Sequence, residues 1–194
     1  MALSKERQQE IHETRKEQIL LAASKIFDQK GFANTKITDI AEEAEISKGL
    51  VYRYFKSKEE ILFSLTDNLK HCIDECAAQP TARAGIRLFG MRLLSYPYYE
   101  DYIPPFRIFF TAMIRDGVHV DSPEFPVAED FGRTYFGALF RQGQEQGEFR
   151  NGDPEEFGDI YWKYLLGSLA LMSPEKEGKT YTPNLDPVLQ LFDK

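Results

Sequence analysis

Apolar positions recur with helical spacing along almost the whole chain. Ile19, Ala22, Ala23, Ile26 and Phe27 follow the i, i+3, i+4, i+7, i+8 rule, and Gly31 stands where that helix should end. Ile37, Ile40, Ala41 and Ala44 mark a short second helix with Thr38 as its expected cap. Glu45-Ile46 makes a tight turn, and Ser47 can cap a third helix from Lys48 to Phe55. Ser57-Lys58-Glu59-Glu60 has the form of a capping box, which opens a fourth helix expected to run to about Ala78. Gln79-Pro80-Thr81 closes it.

Beyond Pro80 the helical period continues, punctuated by proline and glycine. Ile86, Phe89, Leu93 and Leu94 predict one helix before Tyr96-Pro97. Phe106, Phe109, Phe110, Met113 and Ile114 predict another after Pro104-Pro105, ending near Asp116-Gly117. A longer one is expected from about Val127 to Gln146. Asp153-Pro154, with Glu156 behind it, starts a helix to about Met172, and Asp186-Pro187 a short last one. No stretch alternates with a period of two. The expected fold class is all-α.

Charge divides this helical chain in two. Net charge over 194 residues is −7, yet residues 1–58 carry eleven Lys+Arg against nine Asp+Glu, which leaves thirteen against twenty-two for the remainder. A mildly basic head on an acidic body points to different partners for the two parts, with the boundary expected between 1–58 and 59–194. The polar start and the absence of a long apolar run predict a cytoplasmic protein. Cys72 and Cys76 sit at helical i, i+4 spacing, with β-carbons about 5–6 Å apart, too far for a bridge that wants about 3.5–4.5 Å. Buried free thiols are expected there, and no metal. His12, His71 and His119 are isolated, no serine sits in a nucleophile elbow, and no glycine motif cradles phosphate. An enzyme is not expected, nor a cofactor.

The third predicted helix holds the chemistry that stands out. Val51 and Phe55 can anchor it from one face, which leaves Lys48, Gly49, Leu50, Tyr52 and Arg53 largely outward. Gly49 permits close backbone approach to a duplex, while lysine and tyrosine suit phosphate oxygens. A short helix, a tight turn and a second short helix form a helix-turn-helix, which seats its second helix in the DNA major groove.

On these residues, TKITDIAEEAEISKGLVYRYFKSKEEIL (Thr35 to Leu62), preceded by FDQKGF, closely resembles the DNA-binding domain of the tetracycline-repressor (TetR) family of bacterial transcription regulators. The likeness covers about residues 15–62. It implies DNA contacts at Thr35, Thr38, Lys48, Gly49, Leu50, Tyr52, Arg53, Tyr54 and Lys58. Lys48, Gly49 and Leu50 would lie nearest base edges, and Tyr52, Tyr54 and Lys58 would hold the phosphate backbone. Glu45 departs from the glycine usual in the family's turn.

The resemblance further implies an N-terminal three-helix helix-turn-helix domain and a larger C-terminal helical domain for ligand binding and dimerisation. The segment QGEFRNGDPEEF (Gln146 to Phe157) resembles the loop between the family's last two long helices. The helix after it is apolar nearly all round, as a buried or dimerising helix would be. Phe131, Leu139, Tyr161, Tyr164, Leu165, Gly167 and Ser168 are the expected homodimer interface. Phe89, Tyr96, Tyr102, Phe106, Phe109, Phe110 and Tyr135 are candidates for an aromatic or amphipathic effector pocket. The expected function is a ligand-responsive repressor released from a palindromic operator. The alternative is a DNA-binding regulator or architectural protein controlled by a protein partner, with no small effector.

Overall fold

The computed structural model describes residues 5–95, 105–118, 130–171 and 183–194, and every regular element among them is helical. Its contacts divide the chain into two units, residues 1–67 and 68–194.

The first unit holds α1 (Lys5–Lys30), α2 (Ile37–Glu43), α3 (Lys48–Tyr54) and α4 (Lys58–Ser64). The stripe read from sequence is its core: Ile19, Ala23, Ile26 and Phe27 of α1 are buried, with Ile40, Val51, Phe55, Ile61 and Leu62. Gly31 ends α1 at φ 77°, its N–H on the Phe27 carbonyl at 2.9 Å. The cap of α2 differs from expectation. Lys36, in extended backbone, takes the N-cap place, and its N–H donates to Asp39 Oδ2 at 2.8 Å, so Thr38 lies inside the first turn. That amide first, and then Lys30, whose Nζ is 3.1 Å from Asp39 Oδ1, hold the Asp39 carboxyl below the usual carboxylate range.

The fourth helix is also shorter than predicted. It stops at Ser64, a 3₁₀ turn covers Leu65–Asn68, and α5 (Leu69–Ala77) follows. The Thr66 hydroxyl donates to the Phe63 carbonyl at 2.6 Å, three residues back, which favours the tighter turn.

The second unit continues from α5 with α6 (Ala82–Leu94), α7 (Pro105–Asp116), α8 (Gly137–Glu145), α9 (Pro154–Leu171) and α10 (Asp186–Leu189). Thr81 Oγ1 caps α6 by accepting from the Ala84 N–H at 3.2 Å. Asp153 Oδ1 accepts from the Glu155 N–H at 2.9 Å and opens α9 with Pro154 at its first position. Ahead of α8 lies a π-helical turn, Gly132–Phe136, closed by the Gly137 N–H on the Gly132 carbonyl. Here α9 comes very close: a β-carbon on Gly158 would sit 2.3 Å from the Gly132 carbonyl oxygen, and one on Gly132 would sit 2.8 Å from Trp162 Cβ. Phe89, Phe110, Phe131, Phe136 and Trp162 interlock beneath this crossing with ring centroids 4.9–6.3 Å apart. The C-terminal segment is tied in by the Arg150 N–H on the Phe192 carbonyl at 2.8 Å and by ion pairs Arg83–Asp193 and Arg87–Asp186.

Candidate nucleic-acid interface

Seven residues make α3, too few to be stable alone, so its neighbours must fix it. Ser47 Oγ accepts from the Leu50 N–H at 3.2 Å and starts the helix. Val51 and Phe55, both buried, anchor it in the core of the first unit, where it packs on α2. The preceding turn places Glu45 at φ 53°, the left-handed region, where glutamate costs about 1 kcal/mol relative to glycine. Three backbone bonds close that turn: the N–H groups of Ala44, Glu45 and Ile46 reach the carbonyls of Ile40, Glu42 and Ala41 at 2.9–3.0 Å.

A fourth tie comes from a residue that periodicity did not single out. Gln18 Nε2 donates to the Ala44 carbonyl at 2.7 Å, and Arg15 Nη1 donates to Gln18 Oε1 at 2.5 Å. Gln18 stands one turn before Ala22 on the inward face of α1. A polar residue on an otherwise apolar stripe was the available signal.

Outward from this frame stand Lys48, Gly49, Arg53 and Lys56, all exposed, with Tyr52 at 48%. Lys48 Nζ lies 5.7 Å from the Tyr52 ring centroid, so one cation and one phenol form a joint polar ridge. Leu50 is half-buried beside them. Tyr54 is half-buried as well, with the His12 ring 4.7 Å away, so the N-terminal part of α1 reaches the end of α3. Thr38 is exposed in the first turn of α2. These residues form one continuous donor-rich face suited to phosphate and base edges.

Two expected contacts do not belong to that face. Thr35 is 2% exposed, and its hydroxyl donates to the Gly31 carbonyl at 2.7 Å, which spends it on the end of α1. Lys58 turns inward too. Its Nζ donates to the carbonyls of Phe32, Ala33 and Thr35 at 2.8, 3.2 and 3.2 Å and lies 4.4 Å from the Phe32 ring centroid. An ammonium has three protons, and all three are used. In this structure Lys58 is thus engaged with the α1–α2 connection.

In the second unit, four of the expected interface residues are internal. Phe131, Leu139, Tyr161 and Leu165 are buried within this chain's own core. The Tyr161 hydroxyl donates to the Ile86 carbonyl at 3.1 Å, and burial raises its pKa. Tyr164 and Gly167 lie on the other side of α9, where Ile160 and Leu171 are exposed as well, and Ser168 is half-buried at the edge of the inner side. A β-carbon on Gly167 would meet nothing within 4 Å. Of the pocket candidates, Phe89, Phe109 and Phe110 are buried and Tyr135 is half-buried, with its hydroxyl donating to the Ile73 carbonyl at 3.3 Å. Tyr96 and Tyr102 lie outside the described residues, and Phe106 is placed only as the second residue of α7. No helix among the described residues is long and apolar enough to cross a membrane.

The family model "Bacterial regulatory proteins, tetR family" matches residues 19–65. The HTH-type transcriptional regulator HbdR of Aromatoleum sp. (strain CIB) is 46% identical over 57 residues, which are 29% of this chain and 25% of that protein. The chain thus spans about a quarter of that relative's length in the match. Two solved structures share the fold over nearly the full chain. A gamma-butyrolactone receptor (ArpA-like protein) is 21% identical with a TM-score of 0.63, covering 81% of this chain and 82% of its own. AibR in complex with isovaleryl coenzyme A and operator DNA is 16% identical with a TM-score of 0.61, covering 91% and 94%. The likeness in sequence to the tetR family of bacterial regulatory proteins thus lies in the N-terminal helix-turn-helix unit.

Proposed function

We propose that this protein is a DNA-binding transcription regulator that acts as a homodimer on a palindromic operator and is released by a small aromatic or amphipathic effector. One observation carries the DNA-binding part: a capped, core-anchored α3 presents Lys48, Gly49, Tyr52 and Arg53 outward together. On this reading Lys48, Gly49 and Leu50 meet base edges, Tyr52 and Tyr54 hold phosphates, and Thr38 and Arg53 complete the footprint. Thr35 and Lys58 act from inside, as positioning residues. The unit 1–67 is the DNA-binding domain, and residues 68–194 carry effector binding and dimerisation.

Support for dimerisation comes from the outward side of α9, where Ile160, Tyr164, Gly167 and Leu171 form an apolar stripe that a monomer would leave in water. Two copies of that stripe packed by two-fold symmetry would present two α3 helices to a palindrome. Gly167→Trp meets open space in the monomer, so it tests the stripe without disturbing the core. Gel filtration is expected to show a monomer with lost operator affinity. An intact dimer with full affinity would remove α9 from the interface.

Support for an effector is the aromatic cluster of the second unit together with AibR, a protein of this fold captured with both isovaleryl coenzyme A and operator DNA. A hundredfold loss of operator affinity requires about 2.7 kcal/mol of coupling, and operator must weaken the effector by the same factor. The experiment is selection of bound sequences from random duplexes, then a ligand screen for release. Calorimetry with and without operator completes it; equal effector affinity in the two titrations would leave control by a protein partner.

A further inference from the structure

Cys72 and Cys76 face the same way, one turn apart on α5, and both are free thiols. They are 7% and 1% exposed. Neither is among the residues assigned above to DNA, dimer or effector, and their surroundings differ sharply. Arg92 of α6 places Nη1 3.4 Å from Cys72 Sγ and 2.5 Å from Glu75 Oε2. His71 Nε2 lies 3.3 Å from the other Glu75 oxygen. A guanidinium only donates, so the Cys72 sulfur is the acceptor, which favours its thiolate. A hydrogen bond from Cys76 first, then Arg92, hold the Cys72 thiol down to about 6 against the opposing effect of burial. Cys76 goes the other way, because its hydrogen is the one shared with Cys72 and because it is buried. Burial likewise raises the nearby Tyr135 phenol, so it adds no negative charge at neutral pH.

We propose that α5 carries a thiol-modification site, in which Cys72 is oxidised by a small uncharged hydroperoxide and Cys76 resolves the product. The burial of both residues selects a small oxidant over a bulky electrophile. The Cys72 thiolate attacks one peroxide oxygen, the O–O bond breaks, and the departing oxygen leaves as alcohol or water after taking a proton from solvent. Sulfur is oxidised by two electrons to sulfenic acid as the peroxide is reduced. Cys76 sulfur then bonds to Cys72 sulfur, the sulfenic hydroxyl takes the Cys76 proton, and water leaves. Closure must draw the two β-carbons from about 5–6 Å to about 3.5–4.5 Å, which tightens a turn of α5. Glycine at position 85 lets α6 lie directly against this turn, since a β-carbon there would sit 2.3 Å from the Cys76 carbonyl oxygen.

The test treats the reduced full-length chain with equimolar hydrogen peroxide and follows intact mass and mapped peptides, a readout independent of DNA binding. The wild type is expected to form an intramolecular Cys72–Cys76 bond. Cys76→Ser should stop at one added oxygen on Cys72, trapped by dimedone, and Cys72→Ser should take up no oxygen. Arg92→Met should slow oxidation of Cys72 about tenfold and move its iodoacetamide pH midpoint up towards the free-thiol value of about 8.5, while Arg92→Lys retains most of the rate. Circular dichroism melts identify any variant that has lost its fold. An unoxidised wild type, first modification at Cys76, intermolecular disulfides, or a folded Arg92→Met oxidised at the wild-type rate would each overturn the proposal.

Discussion

Helices α3 and α9 each bury one side in a core, and their outward faces have opposite chemistry. On α3 only Val51 is fully buried, and what remains outside carries ammonium, guanidinium, phenol and bare backbone. On α9 six residues are buried, and Ile160, Tyr164 and Leu171 face out, Leu171 at 87% exposure. An outer face rich in donors gains from an anionic, hydrogen-bonding partner; an outer face of apolar area gains from being covered by another. The same helical period thus prepares two kinds of contact, and the outward residues decide which. Burial on the inner side says nothing about it.

The comparison breaks most visibly in the core that supports α9. Phe136 is fully buried among Phe89, Phe131 and Tyr161, so Phe136→Ala should cost about 3–5 kcal/mol, read in thermal or urea unfolding. A variant that melts with the wild type would mean that the aromatic cluster is not what holds the second unit. Next comes Lys58→Met, which frees three carbonyls of a charged donor and should cost about 1.5–3 kcal/mol of stability in the first unit. Operator affinity should fall equally for all sequences with an unchanged salt slope. A slope reduced by about 1 per half-site would return Lys58 to the phosphate backbone.

Arg53→Ala sharpens the contrast from the other side. It should weaken operator binding by about 1–3 kcal/mol while leaving the melting temperature alone, because the side chain is exposed. A shifted melt with unchanged affinity would make Arg53 a structural residue. The smallest effect belongs to Glu45→Gly, expected to stabilise the first unit by about 1 kcal/mol by relieving the left-handed strain. An unchanged urea midpoint would show that the bonds around Ala44 and Ile46 already absorb that strain.

Local signals were legible in the sequence because their causes are local. Ser47, Ser57 and Asp153 each act on amides two or three residues ahead, and each is found where the pattern put it. Glu60 reaches back one residue further than a capping box requires, to the Lys56 N–H at 2.5 Å. What escaped was anything decided across the chain. Lys58 spends its charge on carbonyls 23 to 26 residues earlier, and no spacing rule reports that. The four inward residues of the expected interface were chosen from helices that are apolar on most sides. Which side is internal was settled by Gly132 and Gly158 meeting from separate helices. The break at Leu65–Asn68 came from one threonine hydroxyl bonding backwards, a choice the apolar period permits but does not announce.

The π-helical turn at Gly132–Phe136 has a bearing on how such a chain can change in length. Its closing bond spans five residues where an α-helical bond spans four, so the turn holds one residue more than its neighbours need. A single added residue in a regular helix would rotate everything before it by about 100° and carry an inward side chain to the surface. Looped out into a wider turn, the surplus residue leaves Phe131 on one side and Phe136 and Phe140 on the other all pointing to the same core. Such a turn can absorb one extra residue without changing the face a helix presents. Removing one residue there would therefore be no simple shortening. It would leave Leu139 and Phe140 in register with α9 while swinging Phe131 out of the aromatic cluster, so lineages of this fold should gain or lose length at this point only together with a change on the facing side of Gly158.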